Sequence, residues 1–239
     1  MVAGIHHGSP RQRAERELEP LRPSNLIRVM PAQEAKERPL HHRLHTVPRL
    51  FCLVASEHDL ALLPALAAAG VDGFQVRDKR ATTRELIALT RAVLAAVGPA
   101  IVTVDDRVDV AVAAGADGVH LGADDLPVRD ARAQAPHLLI GATCRTQEAV
   151  ARAAADGADY AGFGPVFATD SKPGLPDPLG LAAVTAAAGV LPLVAIGGID
   201  PGRAARARAA GAHGVAVIGS IWRRPDPGQA AKELVAAVA

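Results

Sequence analysis

The sequence predicts an α/β fold, a compact barrel of eight strand–helix units behind a disordered or loosely packed N-terminal extension. Three observations lead there. From Arg49 onward short apolar strands alternate with Ala-rich helical stretches, the helix-to-strand joins repeat one punctuation, and the strands number eight. Strict alternation of this kind demands a parallel sheet with right-handed crossovers. Eight such units close it into the (β/α)8 TIM barrel. An open doubly wound sheet is the structural alternative, but no GxGxxG follows the first strand. The extension takes residues 1–47 and the barrel residues 48–239.

The elements justify themselves in order. In the extension, SPRQRAERELEPLRP and KERPLHHRLHTVP mix Arg, Glu, Pro and His with no sustained period. They offer too little apolar surface to offset chain entropy. His41, His42 and His45 could draw a metal, but acidic or Cys partners at ligand spacing are missing, so they read as a solvated tail. The strands then run LFCLVAS, GFQVRDK, AIVTVDD, GVHLG, LLIGATC, YAGFGPVF, LPLVAIGG and GVAVIGS, and GQAAKELVAAVA closes the chain as a helix. Four joins share a pattern: AAAGVDGFQV, AAGADGVHLG, AADGADYAGF and RAAGAHGVAV. In each, Gly ends a helix in the left-handed conformation and the next strand starts two or three residues later.

Composition narrows the function classes. Apolar residues make up 49% of the chain and aromatic ones only 3%, so Ala, Val, Leu and Ile must build the core, as in buried parallel strands under Ala-rich helices. A net charge of +1 gives no general attraction to nucleic acid or to an anionic membrane. No apolar run reaches the ~18 residues of a membrane span, and the N-terminus lacks the apolar core of a secretory signal. Cys52 and Cys144 are too few for a disulfide framework and lack metal-ligand spacing. The expectation is a cytoplasmic protein with small-molecule partners; a homo-oligomer is compatible with it.

A TIM barrel carries its chemistry at the C-terminal ends of its strands. Strand 2 ends with Gln75, Arg77 and Lys79 at alternating positions, which point one way on a strand. Strand 3 ends with Asp105 and Asp106, strand 4 runs into Asp124 and Asp125, and strand 5 ends at Thr143. Asp106 and Asp125 belong to adjacent strands, and two carboxylates with waters and a bridging phosphate suit Mg²⁺. The bland alternative is that Asp124 or Asp125 caps the next helix. Arg77 and Lys79 beside a magnesium site describe a diphosphate clamp; the alternative is a solvated strand end paired to Asp78. Gly197 and Gly198 after strand 7, and Ile218 and Gly219 after strand 8, can expose backbone N–H groups just before helices, where the helix dipole favours a second phosphate and barrels often bind one; tight packing is the alternative for Gly-Gly. Two phosphorylated substrates imply a transferase that expels pyrophosphate.

QVRDK, DDRVDVAVAAGADGVHLGADDLP, GADYAGFGPVFATDSK, AIGGI and GVAVIGSI, taken in this order, resemble thiamine phosphate synthases over nearly all of residues 50–239. That resemblance implies a barrel that joins hydroxymethylpyrimidine diphosphate to a thiazole monophosphate. By it, Gln75, Arg77 and Lys79 match a QxRxK motif on the pyrimidine diphosphate, and Asp106 and Asp125 match the Mg²⁺ ligands. Thr143 stands where a small hydroxyl residue lies near the pyrimidine. Thr169 to Ser171 match a TxT loop around the thiazole phosphate, Lys172 an adjacent lysine on the diphosphate, and Gly198, Ile218 and Gly219 backbone donors to the thiazole phosphate. Arg77, Lys79, Lys172 and Thr143 are the expected catalytic set. No protein nucleophile is needed, and Cys144 reads as core.

Three departures stand out. Asp105 replaces the family's usual Asn at the aminopyrimidine, Arg145 replaces a frequent His, and PGLPDPLG is longer and richer in Pro than usual. The Pro-rich loop is similar to that of thiazole tautomerases in the same superfamily, which need an acid–base group and no Mg²⁺ pair. A tautomerase is therefore one alternative, weakened by the missing His at 145. A non-catalytic binding or regulatory barrel is another, but leaves the charged constellation without a purpose.

Overall fold

The computed structural model describes Met1 and residues 46–169 and 176–239. Eight parallel strands close in chain order, with β1 paired to β8. They are β1 (Leu50–Val54), β2 (Gly73–Val76), β3 (Ile101–Asp105), β4 (Gly118–Leu121), β5 (Leu139–Cys144), β6 (Tyr160–Phe163), β7 (Leu193–Ile196) and β8 (Gly214–Val217). The helices are α1 (Leu63–Ala68), α2 (Thr83–Ala96), α3 (Val108–Ala114), α4 (Val128–Gln134), α5 (Gln147–Ala155), α6 (Gly180–Ala187), α7 (Pro201–Ala209), α8 (Gly219–Trp222) and α9 (Pro227–Val238). This is the expected (β/α)8 barrel, with strands that end earlier than their apolar runs. β2 stops at Val76, so Arg77 and Lys79 stand on the loop beyond it. β6 stops before Pro165, which has no N–H for a ladder. β7 stops where Gly197 and Gly198 turn left-handed, with φ of 95° and 63°.

The repeated joins behave as expected. Gly70, Gly115, Gly157 and Gly211 all have φ between 75° and 105°, the region that costs an L side chain most. The joins also carry a second device. Asp72 accepts the N–H groups of Arg49 and Leu50 at 2.9 and 2.8 Å, Asp117 that of Val102 at 2.9 Å, and Asp159 that of Ile140 at 2.7 Å. Each carboxylate satisfies a donor at or next to the start of the preceding strand and pins the register at the barrel's N-terminal face. The expected tail and its histidines, residues 2–45, lie outside the described residues. Val47, assigned to that tail, is buried beneath the barrel, and its carbonyl oxygen lies 2.8 Å from His213 Nε2.

Two apolar clusters fill the fold. The larger lies between strands and helices and is built from Ala, Val and Leu. The smaller fills the barrel interior and includes Val47, Phe51, Leu53, Leu139, Tyr160, Val194 and Ala216. Phe51 and Tyr160 stack there, with ring centroids 5.5 Å apart. Tyr160 fits because its neighbour on β5 is Gly141, where a Cβ would sit 2.1 Å from Tyr160 Cζ. Among the described residues, no helix is long and apolar enough to cross a membrane.

Gly141→Ala should therefore lower stability by about 1–3 kcal/mol, the usual cost of overpacking, read as a lower urea midpoint. A midpoint equal to that of the parent would show that Tyr160 can leave its place in the interior.

Candidate active site

One side of the barrel mouth is a knot of charge. The β2–β3 register sets Gln75 beside Thr103, which places Arg77 level with Asp105, one inward step higher. Gln75 Nε2 donates to Asp105 Oδ1 at 2.7 Å, Arg77 Nε meets Asp105 Oδ2 at 3.0 Å, and Lys79 Nζ reaches the same oxygen at 3.4 Å. Lys79 also pairs directly with Asp106. The alternating trio thus does converge, although its last two members have left the strand. Asp78 turns elsewhere, accepting from Ser56 and from the Arg80 N–H. It is not the partner of Arg77 and Lys79.

Asp106 has a left-handed backbone, φ 64°, which Asp tolerates better than most residues. Asp125 is not a helix cap: α4 begins behind Pro127, and the Asp125 carboxylate folds back to accept the Gly122 N–H at 2.7 Å. A Cβ on Gly122 would lie 2.7 Å from Asp125 Oδ2 and 4.0 Å from Asp106 Oδ1. Both carboxylates therefore face one cradle that only glycine leaves open. That hard-oxygen pair fits Mg²⁺, which takes one or two protein carboxylates and completes its shell with water and phosphate. Among the described residues no group of three or more His, Cys, Asp or Glu side chains forms a fuller cage.

Below this knot runs a neutral polar string. His120 lies between Tyr160, whose hydroxyl is 3.1 Å from Nδ1, and Thr143, whose Oγ1 is 3.1 Å from Nε2. Gly162 admits the ring: a Cβ there would stand 2.6 Å from His120 Cε1. Burial pushes the His120 pKa down and outweighs the pull of Asp105 and Asp125, so the ring is neutral at pH 7. Sequence reading missed this residue, although GVHLG places His120 in phase with Gly118 and Gly122 on the inward face.

Across the mouth the lining is backbone-rich. Gly198, Ile218, Gly219 and Thr169 border the same cavity of about 540 Å³ as Gln75, Arg77, Lys79, Asp105, Asp106, His120 and Thr143. Ser171 and Lys172 lie outside the described residues. The expected contribution from helix dipoles is smaller here than at a long helix. α8 is a single turn, and α7 starts at Pro201 with its Arg203 N–H already taken by the Asp200 carboxylate at 2.8 Å. Three unforeseen arginines, Arg203, Arg223 and Arg224, line this end. Arg203 donates to the Gly198 carbonyl at 2.7 Å and lies 5.1 Å over the Phe167 ring, bracing the β6 and β7 loops together. A Cβ on Gly198 would stand 2.3 Å from the Ala168 carbonyl oxygen. Arg145 spans the carbonyls of Gly164 and Asp177, at 3.1 and 3.0 Å. Cys144 is buried, with its thiol pushed up to about 11 by desolvation.

A family profile described as thiamine monophosphate synthase matches residues 49–221. The thiamine-phosphate synthase of Methanoculleus marisnigri is 49% identical over 181 residues, covering 74% of this chain and 85% of the relative. The chain belongs to the thiamine monophosphate synthase family. A bifunctional thiamine biosynthesis protein, ThiM/ThiE, of Symbiobacterium thermophilum is 47% identical over 204 residues, 82% of this chain, but the match spans only 41% of that longer protein. Among solved structures, a thiamine phosphate pyrophosphorylase from Pyrococcus furiosus superposes with a TM-score of 0.72 at 34% identity, covering 80% of this chain and 95% of that one. Family membership leaves the residue at 145 informative, because a guanidinium occupied by two backbone carbonyls is a brace and supplies no acid–base group.

The neutral His120 has a consequence for stability. Its folded pKa lies below the ordinary 6.5, so the unfolded chain takes up the proton first as pH falls. His58, stacked 4.4 Å from Trp222, is lowered by burial as well and adds in the same direction. Both contributions are complete above about pH 6.5 and are lost below it. The urea midpoint should fall between about pH 7.5 and 5.5, and His120→Gln should flatten part of that fall. A slope unchanged in the variant would assign the proton to another group.

Proposed function

We propose that this barrel performs thiamine-phosphate synthesis at its mouth, joining hydroxymethylpyrimidine diphosphate to thiazole phosphate with release of pyrophosphate. The observation that carries the reading is one cavity with two unlike ends, one set with cationic side chains beside carboxylates and the other rich in glycine backbone. Arg77 and Lys79, next to the Asp106–Asp125 pair, suit a diphosphate. The Gly198, Ile218 and Gly219 backbone, with Thr169, suits a monophosphate opposite. In the family pattern Lys172 joins the diphosphate group and Ser171 the monophosphate group.

Bond formation runs without a protein nucleophile. The C–O bond to the diphosphate breaks with its electron pair leaving on pyrophosphate, and the aminopyrimidine ring supports the methylene cation. The thiazole nitrogen donates its lone pair to that carbon, and the C–N bond forms. Arg77 and Lys79 meet the charge that grows on the leaving oxygens, where fixed cations act most strongly. Gln75 and Asp105 face the pyrimidine end, and the Thr143 hydroxyl, oriented by neutral His120, lies beside it. Asp106 and Asp125 would hold Mg²⁺, which adds positive charge beside the departing diphosphate. The braced Arg145 disfavours a thiazole tautomerase, which would need a titratable group there.

The deciding assay incubates the protein with both substrates, with and without Mg²⁺, and detects thiamine phosphate; no product under either condition would refute the reading. Asp106→Asn keeps a residue that accepts the left-handed backbone, so it tests charge alone. It should cut kcat by about 10²-fold or more and raise the Mg²⁺ concentration needed for half-maximal rate. Arg77→Ala should lower kcat, whereas Gly198→Ala, by pushing on the Ala168 carbonyl, should raise KM chiefly for the thiazole substrate. An Arg77→Ala variant changed only in its thiazole KM would reverse the assignment of the two ends.

A further inference from the structure

Arg77 and Lys79 form the cationic end of the cavity, yet both are already engaged. Their partner is Asp105, whose side chain is only 10% exposed and whose two oxygens take all three donors of the trio. Arg77 is 27% exposed at its side chain and Lys79 53%, so the two cations are the accessible part of the knot and the carboxylate is its hidden centre. Counted with Asp106, the knot holds two cations and two carboxylates and is formally neutral. A neutral knot has little net pull on a diphosphate at a distance, and an arriving anion must compete for the same N–H groups.

We propose that Asp105 is an internal counter-anion, which holds Gln75, Arg77 and Lys79 in place before substrate arrives and weakens the grip of the site on pyrophosphate afterwards. The inference rests on the assignment of this end to a diphosphate. It makes Asp105 a positioning residue that acts through Arg77 and Lys79. Its carboxylate serves two ends. Three mobile donors are gathered into one geometry, so less side-chain freedom is lost when the anion binds. Release is also eased, because the departing pyrophosphate leaves cations that immediately regain a partner rather than standing uncompensated in a partly buried site.

Asparagine at this position keeps the shape and one acceptor oxygen but removes the charge. Asp105→Asn should therefore bind inorganic pyrophosphate about tenfold tighter than the parent in calorimetry with a chelator present, since removing one adjacent charge in a partly buried site shifts such equilibria by about that order. In turnover the same variant should show stronger inhibition by added pyrophosphate and a lower KM for the pyrimidine diphosphate. Asp105→Glu retains the charge and should return pyrophosphate affinity toward that of the parent. Asp105→Ser is a second neutral variant should the asparagine fail to fold. If the parent binds pyrophosphate and both neutral variants bind it equally or more weakly, Asp105 is no competitor and the proposal falls while the diphosphate assignment stands. If pyrophosphate binds none of these proteins, with or without Mg²⁺, or if Arg77→Ala binds it as the parent does, the assignment falls and the proposal with it.

Discussion

A closed barrel of short strands rich in Gly, Ala and Val needs something large in its middle, and Tyr160 supplies it. The ring occupies space that Gly141 vacates and stacks on Phe51 below. Its hydroxyl, buried where an unpaired polar group is costly, finds His120, which in turn requires Gly162 to admit its own ring. From His120 the string reaches Thr143 at the cavity floor. A packing requirement at the centre of the barrel thus determines which hydroxyl faces the cavity and in what orientation. Interiors packed at crystal density transmit such demands over several residues, because no neighbour can shift alone.

Above that neutral floor the charged groups are arranged by strand register. Gln75 sits opposite Thr103, and one inward step along both chains brings Arg77 to Asp105. The left-handed Asp106 then turns its carboxylate toward Lys79 and the Gly122 cradle while Asp105 stays with the interior. Two consecutive aspartates can therefore take different tasks because the backbone reverses hand between them. Asp105 meets Gln75, Arg77 and Lys79, while Asp106 shares Lys79 and faces Asp125 across a glycine.

Much of this was legible in the sequence, and the remainder was hidden for definite reasons. The barrel followed from the alternation of strands and helices and from Gly70, Gly115, Gly157 and Gly211, since a left-handed helix end is a local event written in a few adjacent residues. The aspartates beside those glycines stood in the same repeats, but their purpose was not legible, because Asp72, Asp117 and Asp159 bond to a neighbouring strand 15 to 23 residues away. The strand-end residues around Gln75, Arg77, Asp106 and Asp125 could be gathered once closure was assumed. That Arg77 and Lys79, beyond the end of β2, already hold a partner was beyond reach, since it depends on side-chain direction past the strand end. His120 was visible in principle through its phase with Gly118 and Gly122. Arg203 was not, because nothing in PGRAARARAA separates a residue that reaches back to the Gly198 carbonyl from its solvated neighbours.

The two ends of the barrel meet. Val47 is buried under the strands, and two residues later Arg49 donates to the carbonyl oxygen of Val238, the last residue of α9, at 3.4 Å. Both points lie at the N-terminal face, away from the mouth. A linker of a few residues could join them, and new ends could be cut elsewhere, with the strand order around the ring preserved. Joining to another polypeptide through this underside would leave the rim that holds Arg77, Asp106 and Gly198 uncrossed by either connection.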